Sequence, residues 1–202
     1  KNSYLTTFSF HPVKNITTIE GGAITTNNFD LYKKLLLLRS HSLAKTSISD
    51  PYKLIYPTLN FRMGEVNACI GLSQIKYVKY FRIKRNKLIE YYLQNLKSHK
   101  KDFKILNFVD QNIFWHLFVL NLSKRNFSKK ATLMKFLKSK KIGTQVHYKP
   151  LFMHQKYKKI IKINLYKNSL NFYKSQISLP LHTQLNKSDI DVITRNLKSF
   201  FN

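Results

Sequence analysis

Among the 36 lysines and arginines of this 202-residue chain, Lys14 stands in a setting that could do chemistry. It follows the run Phe8-Ser9-Phe10-His11-Pro12-Val13 and precedes Thr17-Thr18 and a Gly21-Gly22 turn that leads into a second apolar stretch. Such an arrangement holds one amine at the edge of a sheet. Partial desolvation lowers the pKa of a fixed lysine and frees its nitrogen lone pair to form a Schiff base with a carbonyl. In so basic a chain, spacing alone does not separate this role from that of a solvated surface lysine. The seven histidines suggest no second chemistry: there is no His-x-x-x-His pair and no cysteine partner, so no metal site is expected.

The elements that must position Lys14 follow from periodicity. Residues Tyr4 to Phe10 and Gly22 to Thr26 read as two short strands flanking the lysine loop, with Glu20-Gly21-Gly22 shaping the backbone between them. Asn28 or Asp30 can cap a helix through Leu31, Leu35 and Leu38 that ends near Leu43. Asp50-Pro51 and Tyr56-Pro57 make residues 44–61 a loop. Residues Gly64 to Ile75 and Tyr77 to Leu96 read as two helices, and Cys69, beside Val66, Ile70 and Leu72, as a small core residue. The charged, aperiodic stretch from Lys97 to Asp102 marks a boundary, dividing the chain into residues 1–98 and 99–202. Beyond it, Phe103 to Phe108, Ile113 to Leu122, Gly143 to His147 and Ile177 to Leu181 read as strands. Ser128 and Ser188 read as caps of helices reaching about Lys140 and Phe201. The second half is therefore expected to be a small α/β domain.

The string Ser-Phe-His-Pro-Val-Lys-Asn-Ile-Thr-Thr-x-Glu-Gly-Gly-Ala at residues 9–23 resembles the active-site segment of the DegT/DnrJ/StrS family of pyridoxal-phosphate-dependent sugar aminotransferases. Further segments resemble that family in the same order: Leu38-Arg39-Ser40-His41-Ser42, Leu59-Asn60-Phe61-Arg62-Met63, Ala68-Cys69-Ile70-Gly71-Leu72-Ser73-Gln74, Ile142 to Pro150, and Ile177-Ser178-Leu179-Pro180-Leu181. The resemblance implies a fold-type I α/β transferase, with the end of the large domain in residues 1–98 and the C-terminal small domain in 99–202. It implies that Lys14 carries pyridoxal 5'-phosphate and moves the proton during transamination, since relatives that run dehydration have histidine at this position. It places Ser9 on the cofactor phosphate and sends the loop bearing Asn60 and Arg62 across a homodimer interface toward the partner's cofactor, giving a composite site. His147 and Tyr148 would line the sugar-nucleotide pocket. His11 can face substrate or partner, or be an ordinary half-buried histidine, and Arg62 can instead pair with Glu65.

The substrate implied is a UDP- or otherwise nucleotide-linked 4-keto-6-deoxy sugar, with glutamate as amino donor. The Lys14 and His147 segments look most like the subgroup that aminates a UDP-linked 4-keto hexosamine on the way to pseudaminic acid. About as much sequence again precedes the lysine in that family, so the chain reads as a fragment, inactive by itself. A noncatalytic remnant or regulatory relative is the alternative. One departure bears on it: Ile19 stands where the family has glycine, and a left-handed backbone there would strain a β-branched residue.

With only nine acidic residues the formal charge is +27, which invites a nucleic-acid reading. The excess is spread along the whole chain, so weak, salt-sensitive, nonspecific binding is expected and a specific nucleic-acid function is not. No apolar run approaches the ~20 residues of a membrane span. A single cysteine rules out an internal disulfide, and the default setting is the reducing cytoplasm.

Overall fold

Thr6 to Ser9 and Gly22 to Thr25 form the two strands that flank Lys14. In the computed structural model, which describes residues 3–44, 48, 52–157, 160 and 163–202, β1 (Thr6–Ser9) and β2 (Gly22–Thr25) pair antiparallel, with Thr6 opposite Thr25 and Ser9 opposite Gly22. Helix α1 (Phe29–Arg39) follows, capped by the Asn28 side chain, which accepts from the Leu31 amide at 2.8 Å. It stops short of the expected Leu43. The Ser40 and Ser42 amides both donate to Leu37 O, and His41 and Ser42 take positive φ, so the chain turns away.

Strands β3 (Leu43–Ala44) and β4 (Lys53–Leu54) form a minimal ladder inside the stretch expected to be loop. Parts of that stretch, with the Asp50-Pro51 signal, lie outside the described residues. Helix α2 (Glu65–Ile75) completes the first compact unit, Lys1–Val78. Among its described residues only Thr18, Ser42 and Gly71 are buried. Cys69 is exposed and not a core residue, because it lies on an exposed face of α2 with Val66 and Leu72.

The second unit, Lys79–Asn202, holds the hydrophobic core. Its sheet has the order β5-β6-β7 (Phe103–Ile105, Phe118–Leu122 and Gln176–Leu179), antiparallel throughout. Alternation along β6 buries Phe118, Leu120 and Leu122. These join a core with Leu88, Ile89 and Tyr92 of α3 (Val78–Asn95), Leu133 and Leu137 of α4 (Lys130–Ser139), and Ile190, Ile193 and Leu197 of α6 (Lys187–Phe201). Thus α3, grouped by sequence with the first segment, packs with the second. Between α4 and β7, helix α5 (Lys167–Ser175) packs against β6.

The Tyr92 ring stacks on Phe118 with centroids 4.2 Å apart, and its hydroxyl donates to Pro180 O at 2.9 Å. Burial, and secondarily the charge of Asp189, push that hydroxyl's pKa far up. Tyr91 and Asn95 both donate to Asp191 Oδ1, at 2.8 and 2.9 Å, tying α3 to α6.

The strands expected over 103–108 and 113–122 are each shorter than read, because side chains replace the ladder. Asn86 donates to Ile113 O, Arg85 to Trp115 O and His116 O, and Asn107 to Leu117 O. Residues 143–147 are not a strand; a lone bridge joins Gln145 to Ser178. Ser128 does not cap α4, since residues Lys124–Lys129 already wind as a 3-10 turn and no side chain caps the helix. Ser188 does not cap α6 either. Asn186 accepts from the Asp189 amide while Asp189 accepts from the Asn186 amide, a reciprocal capping box.

Candidate active site

Lys14 lies half-buried in the loop that leaves β1, its amide donating to His11 O at 2.9 Å. Backbone hydrogen bonds fold this loop onto the strand end: Phe10 N donates to Gly21 O at 2.9 Å and Thr18 N to Phe10 O at 3.0 Å. Thr17 Oγ1 also donates to Phe10 O and accepts from Ile19 N, while Thr18 Oγ1 donates to Glu20 O. The two threonines therefore satisfy backbone groups that a turn would otherwise leave unpaired.

Ile19 has φ of +69°, the left-handed conformation that β-branched residues resist. Gly21 follows at +153°, and a Cβ there would stand 2.5 Å from Thr18 Oγ1 and 2.7 Å from Met63 Cε. A Cβ on Gly22 would stand 2.8 Å from Phe8 O. Glycine is needed at both positions for this closure.

Sequence reasoning missed Asn67. From the first turn of α2 its Nδ2 donates to Thr18 O at 2.6 Å and to Glu20 O at 3.3 Å, bracketing Ile19. Gly71, one turn further, is close enough that a Cβ would come within 2.8 Å of Thr18 Cγ2. Helix α2 thus pins the lysine loop. No local signal marks it, since the two carbonyls lie 49 and 47 positions earlier in the chain.

Ser9 is exposed at the end of β1, opposite Gly22. His11 lies just beyond the end of β1. Its Nδ1 faces Val13 N at 3.5 Å, and its Nε2 stands 3.9 Å from Glu20 Oε1, both groups largely solvated. Asn60 and Arg62 sit on an exposed strap alongside the end of α1, where Asn60 bridges to Ser40 and Phe61 N donates to Arg39 O. Asn60 Oδ1 accepts from Arg62 N at 3.1 Å, and the Arg62 guanidinium donates to Ser40 Oγ, not to Glu65. In the second unit, the half-buried His147 ring meets Ser178 Oγ at 2.9 Å through Nδ1, with the exposed Tyr148 ring edge-on to it. The seven residues therefore fall in three groups: Ser9, His11 and Lys14 on one loop, Asn60 and Arg62 on the strap, and His147 with Tyr148 beside β7.

Among the described residues, the side chains of Lys14 and Ser9 engage no hydrogen bond or ion pair. A free amine and a free hydroxyl on one strand end fit a ligand carrying both an aldehyde and a phosphate. No group of three metal-ligating side chains occurs among the described residues, and no described helix is long and apolar enough to cross a membrane.

A lysine on a glycine-closed hairpin, in an α/β chain of this motif order, defines a class. The model for the DegT/DnrJ/EryC1/StrS aminotransferase family matches residues 2–198, and the chain belongs to that family. It is 36% identical over 199 residues to the UDP-4-amino-4,6-dideoxy-N-acetyl-beta-L-altrosamine transaminase of Campylobacter jejuni subsp. jejuni serotype O:23/36 (strain 81-176), covering 96% of this chain and 52% of that protein. Among solved structures it resembles Helicobacter pylori PseC, an aminotransferase involved in the biosynthesis of pseudoaminic acid. The TM-score is 0.88 at 31% identity, covering 98% of this chain and 53% of the other. The PLP-form of the putative sugar aminotransferase Spr1654 from Streptococcus pneumoniae matches with TM-score 0.87 at 26% identity, over 98% of this chain and 51% of that one. The fold is that of the fold-type I aminotransferases, as the motif order implied. The chain spans about half the length of the curated relatives it matches.

Proposed function

We propose that this chain is the lysine-bearing part of a pyridoxal-phosphate-dependent aminotransferase that converts a nucleotide-linked 4-keto-6-deoxy sugar to its 4-amino sugar. The observation that carries the reading is the half-buried, unengaged Lys14 on its pinned hairpin, in a chain of the sugar aminotransferase family. Pyridoxal 5'-phosphate, when bound, supplies an electron sink. Lys14 would hold it through Nζ, and Ser9 would donate a hydrogen bond to its phosphate. The Lys14 amine, when free, would take the proton from the carbon of glutamate that bears the nitrogen and later deliver one to C4 of the sugar. Glutamate leaves as its 2-oxo acid, and the keto sugar gains the nitrogen.

Asn60 and Arg62 act across a homodimer interface on the partner's phosphate, which suits their exposure on the strap. His147, oriented by Ser178, and Tyr148 contact the sugar nucleotide. Similarity to the altrosamine transaminase supports a UDP-linked 4-keto hexosamine as substrate, and the single cysteine suits a reducing cytoplasm.

The test is covalent. In the natively expressed polypeptide treated with pyridoxal 5'-phosphate and borohydride, peptide mapping should find the reduced adduct on Lys14, and Lys14→Ala should remove both adduct and amino transfer from glutamate. Adducts scattered over surface lysines, unchanged by Lys14→Ala, would refute the reading.

Left-handed Ile19 favours a second reading, a relative that keeps the fold and has lost catalysis. On that reading the Lys14 adduct forms poorly, and Ile19→Gly restores it.

A further inference from the structure

The second unit carries a groove of about 470 Å³ that no part of the aminotransferase reading uses. Lys100 before β5, Lys104 on β5 and Lys124 after β6 converge on it from separate stretches, all three exposed, and among the described residues no acidic one lines it. Asn121 of β6 and Asn171 of α5 add amides, and Phe172, 41% exposed, contributes an aromatic ring. Asn168, in the first turn of α5, lines the groove as well.

We propose that this groove binds a small phosphorylated ligand with a flat ring, of the nucleoside diphosphate class. The lysines recognise the phosphates as point charges. The asparagines hydrogen-bond hydroxyls and ring edges, and Phe172 supplies a face for the base to lie on. The volume falls within the ~300–1,000 Å³ range of small-molecule sites. An open groove of that size holds one nucleotide, whereas a strand would need a basic track running past it. None of Ser9, His11, Lys14, Asn60, Arg62, His147 or Tyr148 lines it, so the site stands independently of the aminotransferase reading.

Isothermal titration of the full chain with ADP, with pyrophosphate and with an oligothymidylate tests this at an ionic strength of about 0.15 M. ADP should bind saturably at one site per chain, and Lys104→Glu with Lys124→Glu should weaken it about tenfold or more. Phe172→Ala should weaken ADP about fivefold and leave pyrophosphate unchanged. The control is Lys135→Glu with Lys138→Glu, two exposed positions on α4 that do not line the groove; it should leave ADP affinity intact. Circular dichroism and melting temperature confirm that each variant folds. Absence of saturation, or equal weakening by the α4 control, overturns the proposal. Tighter binding of oligothymidylate that ignores Phe172→Ala also overturns it, in favour of a strand held by general charge.

Discussion

Ile19 holds a left-handed backbone where a β-branched side chain costs about 1–2 kcal/mol. It is half-exposed, so truncation forfeits little burial. Ile19→Gly should raise stability by about 0.5–1 kcal/mol once the extra chain entropy of glycine is subtracted. The urea midpoint checks this, and a fall would show that the side chain has packing the backbone strain does not outweigh. Asp102 argues a pH dependence. Burial alone would push its carboxyl up, but hydrogen bonds from Arg125 and Asn126, the Arg125 charge and His99 together hold it below the usual carboxylate range. The folded state therefore binds that proton less readily than the unfolded chain. Its stabilisation is present above the ordinary carboxylate value of about 4 and lost as pH falls through the lower folded value. Asp102→Ala should cost about 2 kcal/mol near neutrality, and urea midpoints taken at successively lower pH should converge with the parent's. Lys14 was legible because its neighbours form a long string of matching types. Asn67 was not, because a residue that acts on backbone 47 and 49 positions away leaves no local pattern.

At the scale of elements, α6 separates the cap Asn186 from Ser188, two residues on, whose hydroxyl only donates to Asn186 Oδ1. Asn186→Ala removes the acceptor for the Asp189 amide and should cost about 1 kcal/mol, while Ser188→Ala should cost a few tenths. Thermal melts of the two variants decide it; equal losses would mean the box contributes nothing beyond the serine. Helices α1, α2 and α3 and the strands around Lys14 were readable because apolar spacing and turn residues agree there. Where reading failed, a side chain had taken over the work of the backbone. Asn107 bonds both Leu117 O and Val119 N, a ladder in miniature that ends β5 early. Arg85 gathers the carbonyls of Trp115, His116 and Leu181, holding residues before β6 and after β7 in place of strand pairing. Helix α5 was missed because Lys167–Ser175 is rich in Asn, Ser and aromatic residues, which are indifferent helix formers.

Over the whole molecule, charge and core are distributed differently. The +27 excess runs along the entire chain, whereas the apolar core lies in the second unit. Diffuse charge predicts polyanion binding that collapses with salt: affinity for heparin or duplex DNA should fall by about a thousandfold between ~50 and ~200 mM salt. Binding that survives the higher concentration would point to a recognition surface. The tie from Tyr91 and Asn95 to Asp191 has a consequence for birth on the ribosome. It joins the first helix of the second unit to the last one translated among those described, across about 100 positions. While α6 is still being threaded, Leu88, Ile89 and Tyr92 have no Ile190 or Leu197 to close over them. Until α6 arrives, the apolar face of α3 has no such cover, so the seam it will close stays open to solvent during synthesis.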